Sequence, residues 1–536
     1  MSTPNYQLLI KHMLANCAAQ ASRKHVVYKG ERRFTYPAFI SRVHRLGAAL
    51  AARGAGFGSR IAVMDWDSHR YLESYFAIPM LGATIMMVNI RLSPEQIAYT
   101  IDHADAQIIL INRDFAPLFD AIKPKLTKLK TIIYLSDDET ADEYESLLAS
   151  GTENYDFPDF DENTTATTFY TTGTTGLPKG VYFSHRQIVL HTLTLMSTIM
   201  MAGVNGRISR EDVYMPLTPL FHVHGWGFPY AATMIGMQQI YTGRFLPATV
   251  LKLLATENVT MTHSVPTILH MLLTAPEAAA IDFSKLKMII GGSALPGSLC
   301  RAAMARGIDV YTGYGMSESG PILSISQLTQ DLLKDYTTQD DEIALRTAAG
   351  QPGVLIELAI MDDNLNILPR NSQNTGEIVA RGPCLTAGYT KDAESSATLW
   401  RGGWLHTGDI GHFAANGMLH ILDRSKDVIK TGGEWISSLT LEDVIMSHPA
   451  VSECAVISVS DPRWGERPLA IVVLKPDQKA TEDELKSLVR NKTESGALSR
   501  YAIPDHIIFA PALEKTSVGK LDKKKLRTLY TTTQAA

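Results

Sequence analysis

The sequence predicts an α/β protein: a large N-terminal domain of helix-covered mixed and parallel sheets with a small β-barrel, followed by a small α+β C-terminal domain. Three observations carry that expectation. Residues 1–340 alternate helical patterns with short β-rich runs, residues 351–423 switch to strand and turn, and alternation returns in a shorter unit after residue 423. Strands alternating with helices build parallel sheets, whereas consecutive short strands with turn residues build antiparallel ones.

The elements follow in order. Residues 61–64 (IAVM), 106–111 (AQIILI) and 131–135 (TIIYL) are β-rich runs of strand length. Residues 167–169 and 181–183 are strand-like and flank a stretch rich in Gly and Thr. Strands are expected at 354–361 and 376–381, and Asn416-Gly417 signals a hairpin between residues 412–413 and 418–422. Beyond residue 423 come strands at 454–459 and 469–474, then a helix whose start is marked by Thr481 with Glu484 three residues on, a capping-box signature. The run Lys523-Lys524-Lys525 reads as a solvated helix face. This places one domain at 1–423, with 351–423 as its β-rich part, and a second at 424–536.

Composition narrows the function classes. In 536 residues, 45% hydrophobic and 20% charged content supports large cores and argues against disorder. A formal net charge of −5 gives no footprint for nucleic acid. Cys17, Cys300, Cys384 and Cys454 are far apart and form no CxxC pair, which fits a reducing compartment. Residues 1–18 lack the basic-then-apolar pattern of a signal peptide. The most apolar stretch, residues 188–204, carries His191 and several threonines and falls short of the roughly 20 apolar residues of a spanning helix. The expectation is a cytoplasmic protein without a transmembrane segment. Peripheral membrane contact and a homodimer are both compatible with the sequence.

The chemistry concentrates first in Tyr170-Thr171-Thr172-Gly173-Thr174-Thr175-Gly176-Leu177-Pro178-Lys179-Gly180. Glycines allow tight turns that present amides to an anion, threonine hydroxyls add donors, and Lys179 adds charge. This is a phosphate loop by composition. It is not the ordinary P-loop, because Pro178 and Gly180 stand where that pattern needs Gly and Ser or Thr. His222 and His224 could suggest a metal pair, but no Cys or carboxylate partner follows at ligand spacing.

The loop resembles the signature of the adenylate-forming superfamily, which holds acyl-CoA synthetases, luciferases and peptide-synthetase adenylation domains. Further motifs resemble that family's and stand in its order: Pro219-Leu220-Phe221-His222-Val223-His224-Gly225, Gly291-Gly292-Ser293, Tyr314-Gly315-Met316-Ser317-Glu318, Gly403-Trp404-Leu405-His406-Thr407-Gly408-Asp409, Asp423-Arg424-Ser425-Lys426-Asp427 and Lys515-Thr516-Ser517-Val518-Gly519-Lys520. Joining a carboxylate to the α-phosphate of ATP brings two anions together, so such a site needs cations and hydrogen-bond donors where charge accumulates. The resemblance implies ATP, Mg²⁺ and coenzyme A as small-molecule partners beside a carboxylic acid.

It also implies roles. Thr171, Thr172, Gly173, Thr174, Thr175 and Lys179 hold the β- and γ-phosphates, Ser317 meets the α-phosphate, and Glu318 binds Mg²⁺, which favours carboxylate and phosphate oxygens. Asp409 and Arg424 take the ribose, while Gly291, Gly292, Ser293 and Tyr314 border the adenine, and Gly315 and Met316 also belong to the nucleotide-binding set. His222 lies beside the acyl group, with Gly225 and Gly315 near it. Trp226 resembles an aromatic gate at a fatty-acyl tunnel and reads equally as a core tryptophan. Lys520 is the catalytic lysine of the small domain, Lys426 the hinge on which that domain rotates, and Gly432 and Gly433 line a pantetheine channel or mark a plain turn. Two departures are Ser317, where threonine is commoner, and Glu514, where proline is usual.

The expected reaction is therefore formation of an acyl-AMP with release of pyrophosphate, then displacement of AMP by the CoA thiol. Residues 221–236 and 433–437 look most like bacterial medium- and long-chain fatty acyl-CoA ligases and 3-methylmercaptopropionate CoA ligases. An aliphatic, medium-chain fatty acid is the expected substrate. The rivals are a 3-methylmercaptopropionate or other short- or aryl-acid ligase, an acyl-AMP ligase serving a carrier protein, and a regulatory nucleotide-binding protein that has lost catalysis.

Overall fold

Residues 6–21, 23–171, 177–200, 204, 206–334, 336–431, 434–495, 498–515 and 521–531 are described by a computed structural model. They form four sheets. The first orders its strands Thr131–Leu135, Ile108–Asn112, Arg60–Met64, Thr84–Met87, Thr165–Thr171 and Lys179–Ser184, parallel throughout except for the final hairpin. Ile108–Asn112 is buried at every position, as a parallel strand covered on both faces must be.

The second sheet has nine strands. Val213–Pro216, Met261–Ser264, Lys287–Ile290 and Asp309–Tyr314 run parallel at its centre, and the N-terminal hairpin His25–Tyr28 and Arg32–Thr35 joins one edge beside Gln238–Tyr241. Helix His69–Met80 contacts strands of both sheets and is buried along its whole length. Even Arg70 is fully enclosed there; its Nη2 reaches the Ser136 carbonyl and Asp137 Oδ1, whereas Nε and Nη1 have no hydrogen-bond partner among the described residues.

The β-rich stretch, expected as a small barrel, is a five-stranded antiparallel sheet: Ile367–Leu368, Glu357–Met361, Gly376–Arg381, Leu405–Phe413 and Leu419–Arg424. Among the described residues its edge strands do not pair with each other, because the outer one spans two residues and offers too few backbone groups to close a ring. The fourth sheet starts at Ile429–Thr431; Gly465–Leu474 lies at its centre and pairs along its length with Val451–Asp461, and helices Ser438–Met446 and Glu482–Glu494 pack beside it. The capping box of Thr481 and Glu484 forms as its spacing predicts. No helix among the described residues is long and apolar enough to cross a membrane.

Candidate active site

The motif residues gather where the parallel strands of the second sheet end, the side on which open α/β sheets present ligands. Strand Asp309–Tyr314 delivers Tyr314, whose hydroxyl donates to Asp409 Oδ2 at 2.8 Å. Asp409 lies opposite Arg424 across the Leu405–Phe413 and Leu419–Arg424 pair, with Arg424 Nε 3.3 Å from its Oδ1. Burial, reinforced by the Asp409 carboxylate, pushes the Tyr314 phenol well above its ordinary range, so it stays a neutral donor. The result is a buried carboxylate oriented from two sides.

Those segments need glycine for space. A Cβ at Gly291 would stand 2.7 Å from the Gly313 carbonyl oxygen and 2.9 Å from the Trp226 ring, and one at Gly315 would collide with the Pro321 backbone. Gly292 and Ser293 are exposed beside them, and the Met316 carbonyl accepts from Ser319 Oγ at 2.9 Å.

Glu318 occupies a short turn, Ser317–Ser319, with Ser317 half-buried and Glu318 buried. Its Oε1 accepts from the Tyr389 hydroxyl at 2.7 Å, and its backbone carbonyl accepts from Thr386 N at 2.9 Å. Burial pushes the Glu318 carboxyl upward against the Tyr389 hydrogen bond and the pull of Arg424 and Lys179. A carboxylate desolvated in this way gains from a bound hard cation, and oxygen is the ligand type Mg²⁺ takes, so the residue fits that ion. Lys179 opens strand Lys179–Ser184 opposite Thr171; its ammonium bonds Ser395 Oγ, stands 3.7 Å from Asp392 and lies 5.1 Å from the Tyr389 ring centre. Thr172, Gly173, Thr174 and Thr175 lie outside the described residues, as do Gly432, Gly433 and Lys520.

In the next motif, His222 is half-buried and precedes five consecutive residues with positive φ, Val223 to Gly227. Three of these are not glycine, so the turn holds Val223, His224 and Trp226 in a conformation that L-residues seldom adopt, the kind of local strain that collects at functional sites. His224 points inward, its Nε2 2.7 Å from Thr167 Oγ1, and among the described residues no three metal-ligating side chains cluster. Trp226 stacks on His263 at 5.0 Å between ring centres. His263 is fixed by Tyr214 Oη at 2.8 Å and Thr218 Oγ1 at 3.2 Å, with Phe228 also against it. Beyond Phe228 lies a small apolar cavity lined by Met196, Ile199, Ala231, Ala232, Ile235 and Met261, among others. Gly225 and Gly227 belong to the turn, and Gly236 caps the helix that carries the two alanines.

One sequence expectation changes here. Lys523 is not on a solvated face: its ammonium is buried 2.6 Å from Glu442 and bonds Ser438 Oγ, because its helix lies against Val451–Asp461 and turns that residue toward the sheet. Tyr389 and His263 had no motif to mark them. Their signals are contacts across long sequence separations, 71 residues for Tyr389 with Glu318, which no local pattern records. Lys426 stands exposed in the turn after Arg424, where Asp427 N and Val428 N both donate to the Arg424 carbonyl.

The family described as AMP-binding enzyme matches residues 14–390, and the AMP-binding enzyme C-terminal domain matches residues 440–520. A long-chain-fatty-acid–CoA ligase of Thermus thermophilus is 36% identical, over 98% of this chain and 96% of its own length. A 3-methylmercaptopropionyl-CoA ligase of Ruegeria pomeroyi is 35% identical, over 90% and 89%, and a medium-chain-fatty-acid–CoA ligase of Ectopseudomonas oleovorans 34%, over 91% and 89%. Among solved structures, an anthranilate CoA ligase in complex with anthranoyl-AMP shares the fold with a TM-score of 0.86 at 24% identity, covering 100% of this chain and 99% of that one. A Mycobacterium tuberculosis fatty acyl CoA synthetase gives 0.73 at 27% identity, covering 98% and 99%. The chain belongs to the AMP-binding enzyme family.

Proposed function

We propose that the chain is an ATP-dependent acyl-CoA ligase that converts an aliphatic acid, medium-chain by preference, to its thioester through an acyl-AMP. In the first step a carboxylate oxygen bonds to the α-phosphorus and pyrophosphate leaves. In the second the CoA sulfur bonds to the acyl carbon, AMP leaves and the thiol proton is lost. The observation that carries this reading is the meeting, at one set of strand ends, of a ribose-type acceptor, Asp409 with Tyr314 and Arg424, and a buried carboxylate, Glu318, near Lys179.

In this reading Asp409 fixes the nucleotide by accepting from the ribose hydroxyls, and Lys179 with Thr171 to Thr175 and Ser317 binds the phosphates. A magnesium ion on Glu318 supplies charge neutralisation to those phosphates. Lys520 delivers a further positive charge from the small domain, Lys426 is the point about which that domain turns, and residues 424–536 move as one unit. Gly432 and Gly433 leave room for the pantetheine arm. His222, Gly225 and Gly315 flank the acyl carbonyl, and Trp226 gates the acyl tunnel. Relatives named as fatty-acid ligases support an aliphatic chain.

The test is AMP and thioester formation by the purified protein with ATP and Mg²⁺, across acetate to palmitate, benzoate and 3-methylmercaptopropionate, with and without CoA. Thioester that requires CoA and peaks at a medium-chain acid is the expected result. Adenylate that accumulates equally with and without CoA, and never becomes thioester, overturns the CoA step. No AMP from any acid overturns the ligase.

A further inference from the structure

The segment between Thr386 and Ser396 is sewn to the hairpin that carries Lys179. Thr390 N donates to the Gly180 carbonyl at 2.7 Å, Tyr389 bridges to Val181, and Tyr389 N donates to Ser396 Oγ at 2.8 Å. These bonds fix Tyr389 between two groups of opposite charge. Its hydroxyl donates to Glu318 Oε1 at 2.7 Å, and its ring carries the Lys179 ammonium at 5.1 Å. The ion partner of Lys179 is Asp392, at 3.7 Å, rather than Glu318. A direct pair between Lys179 and Glu318 would cancel the two charges that a metal–nucleotide complex needs separately, the carboxylate for the cation and the ammonium for phosphate.

We propose that Tyr389 is a positioning residue of the nucleotide site: its hydroxyl orients Glu318 toward the metal, and its ring holds Lys179 apart from that carboxylate. The proposal rests on the reading of Glu318 as metal ligand and Lys179 as phosphate ligand. The two parts of the side chain have separable tasks. Tyr389→Phe keeps the ring and removes only the donor, whereas Tyr389→Leu removes both.

Calorimetric binding of ATP, in EDTA and then in saturating Mg²⁺, reads these tasks without turnover. Melting temperatures confirm that each variant is folded. A hydrogen bond to a charged group predicts that Tyr389→Phe cuts the Mg²⁺-dependent gain in affinity about tenfold and leaves the EDTA affinity unchanged. Loss of the ring contact predicts a further drop of roughly two- to fivefold in EDTA affinity for Tyr389→Leu. An unchanged or larger Mg²⁺ gain in Tyr389→Phe overturns the proposal, as does an equal loss under both conditions, which marks a packing role alone. Glu318→Gln is the control for the reading beneath it. If that variant keeps the full Mg²⁺ gain, Glu318 is not the metal ligand and the proposal falls with it; if it loses the gain while Tyr389→Phe does not, only the Tyr389 role is wrong.

Discussion

Asp409 shows what a single side chain does when its neighbours are fixed. Tyr314 and Arg424 each occupy one of its oxygens from strands that converge only in the folded chain, and the carboxylate is buried beside Tyr314 while Arg424 reaches in from the exposed side. Asp409→Asn keeps the shape and removes the charge, so the hydrogen bonds a ribose would donate become neutral ones. We expect the KM for ATP to rise by about one to two decades, since bonds to charged groups are worth roughly 1.5–3 kcal/mol, with the KM for the acid much less affected. An unaltered KM for ATP removes Asp409 from the nucleotide site. Asp409 and Glu318 stood out in the sequence because each sits inside a short motif that resembles the family's, and the fold buries both. Tyr389 and His263 did not, because what defines them is a partner far along the chain.

The same contrast holds for elements. Strand Gly376–Arg381 and helix Glu482–Glu494 follow from alternation and a capping box, both local signals. The terminal helix Lys523–Thr531 does not, since its three leading lysines suggest solvent. In the fold it clamps the turn at which the small domain begins. Lys523 meets Glu442 and Ser438, Ser438 N donates to Asp423 Oδ2 at 2.8 Å, and Arg527 pairs with Asp427 at 2.7 Å. Burial works against the charge on Lys523, but Glu442 and Asp423 outweigh it and hold its pKa above the ordinary value. Lys523→Met leaves Glu442 buried without its cation and should cost the small domain about 3–5 kcal/mol in urea unfolding followed by tryptophan fluorescence. Adding Glu442→Gln, which keeps an acceptor for Val456 N, should restore most of that loss. A single variant as stable as the parent would show that the pair carries no such load.

At the scale of the whole molecule, strand order was the least legible feature. That the N-terminal hairpin closes the edge of a nine-stranded sheet is decided by pairing between His25–Tyr28 and Gln238–Tyr241, which no window of sequence spans. A fold of this size also desolvates polar groups that a small domain would leave wet. Burial holds His185, His224 and His263 at about 3 and His191 at about 4, against an ordinary value of 6.5, so all four are neutral in the native protein. Their pKa values are depressed on folding, hence the unfolded chain binds protons first as pH falls. The stability they contribute is complete above pH 6.5 and is lost on descent toward pH 4. Each histidine contributes a slope of roughly 1.4 kcal/mol per pH unit, and Asp67, pushed by burial to about 7, opposes one of the four by taking its proton in the native state. His191 isolates the effect. It is wedged against Gly227 and Gly320 with Nε2 unpartnered, and glutamine has nearly its size without its charge change. Urea unfolding of the large domain at pH 7, 6 and 5 should therefore show the His191→Gln variant losing stability less steeply than the parent. The difference should be about 1.4 kcal/mol per pH unit, one proton's worth. Parallel slopes would mean that His191 takes up its proton as readily in the native state as in the unfolded chain, and that the neutral state inferred for these buried histidines is wrong.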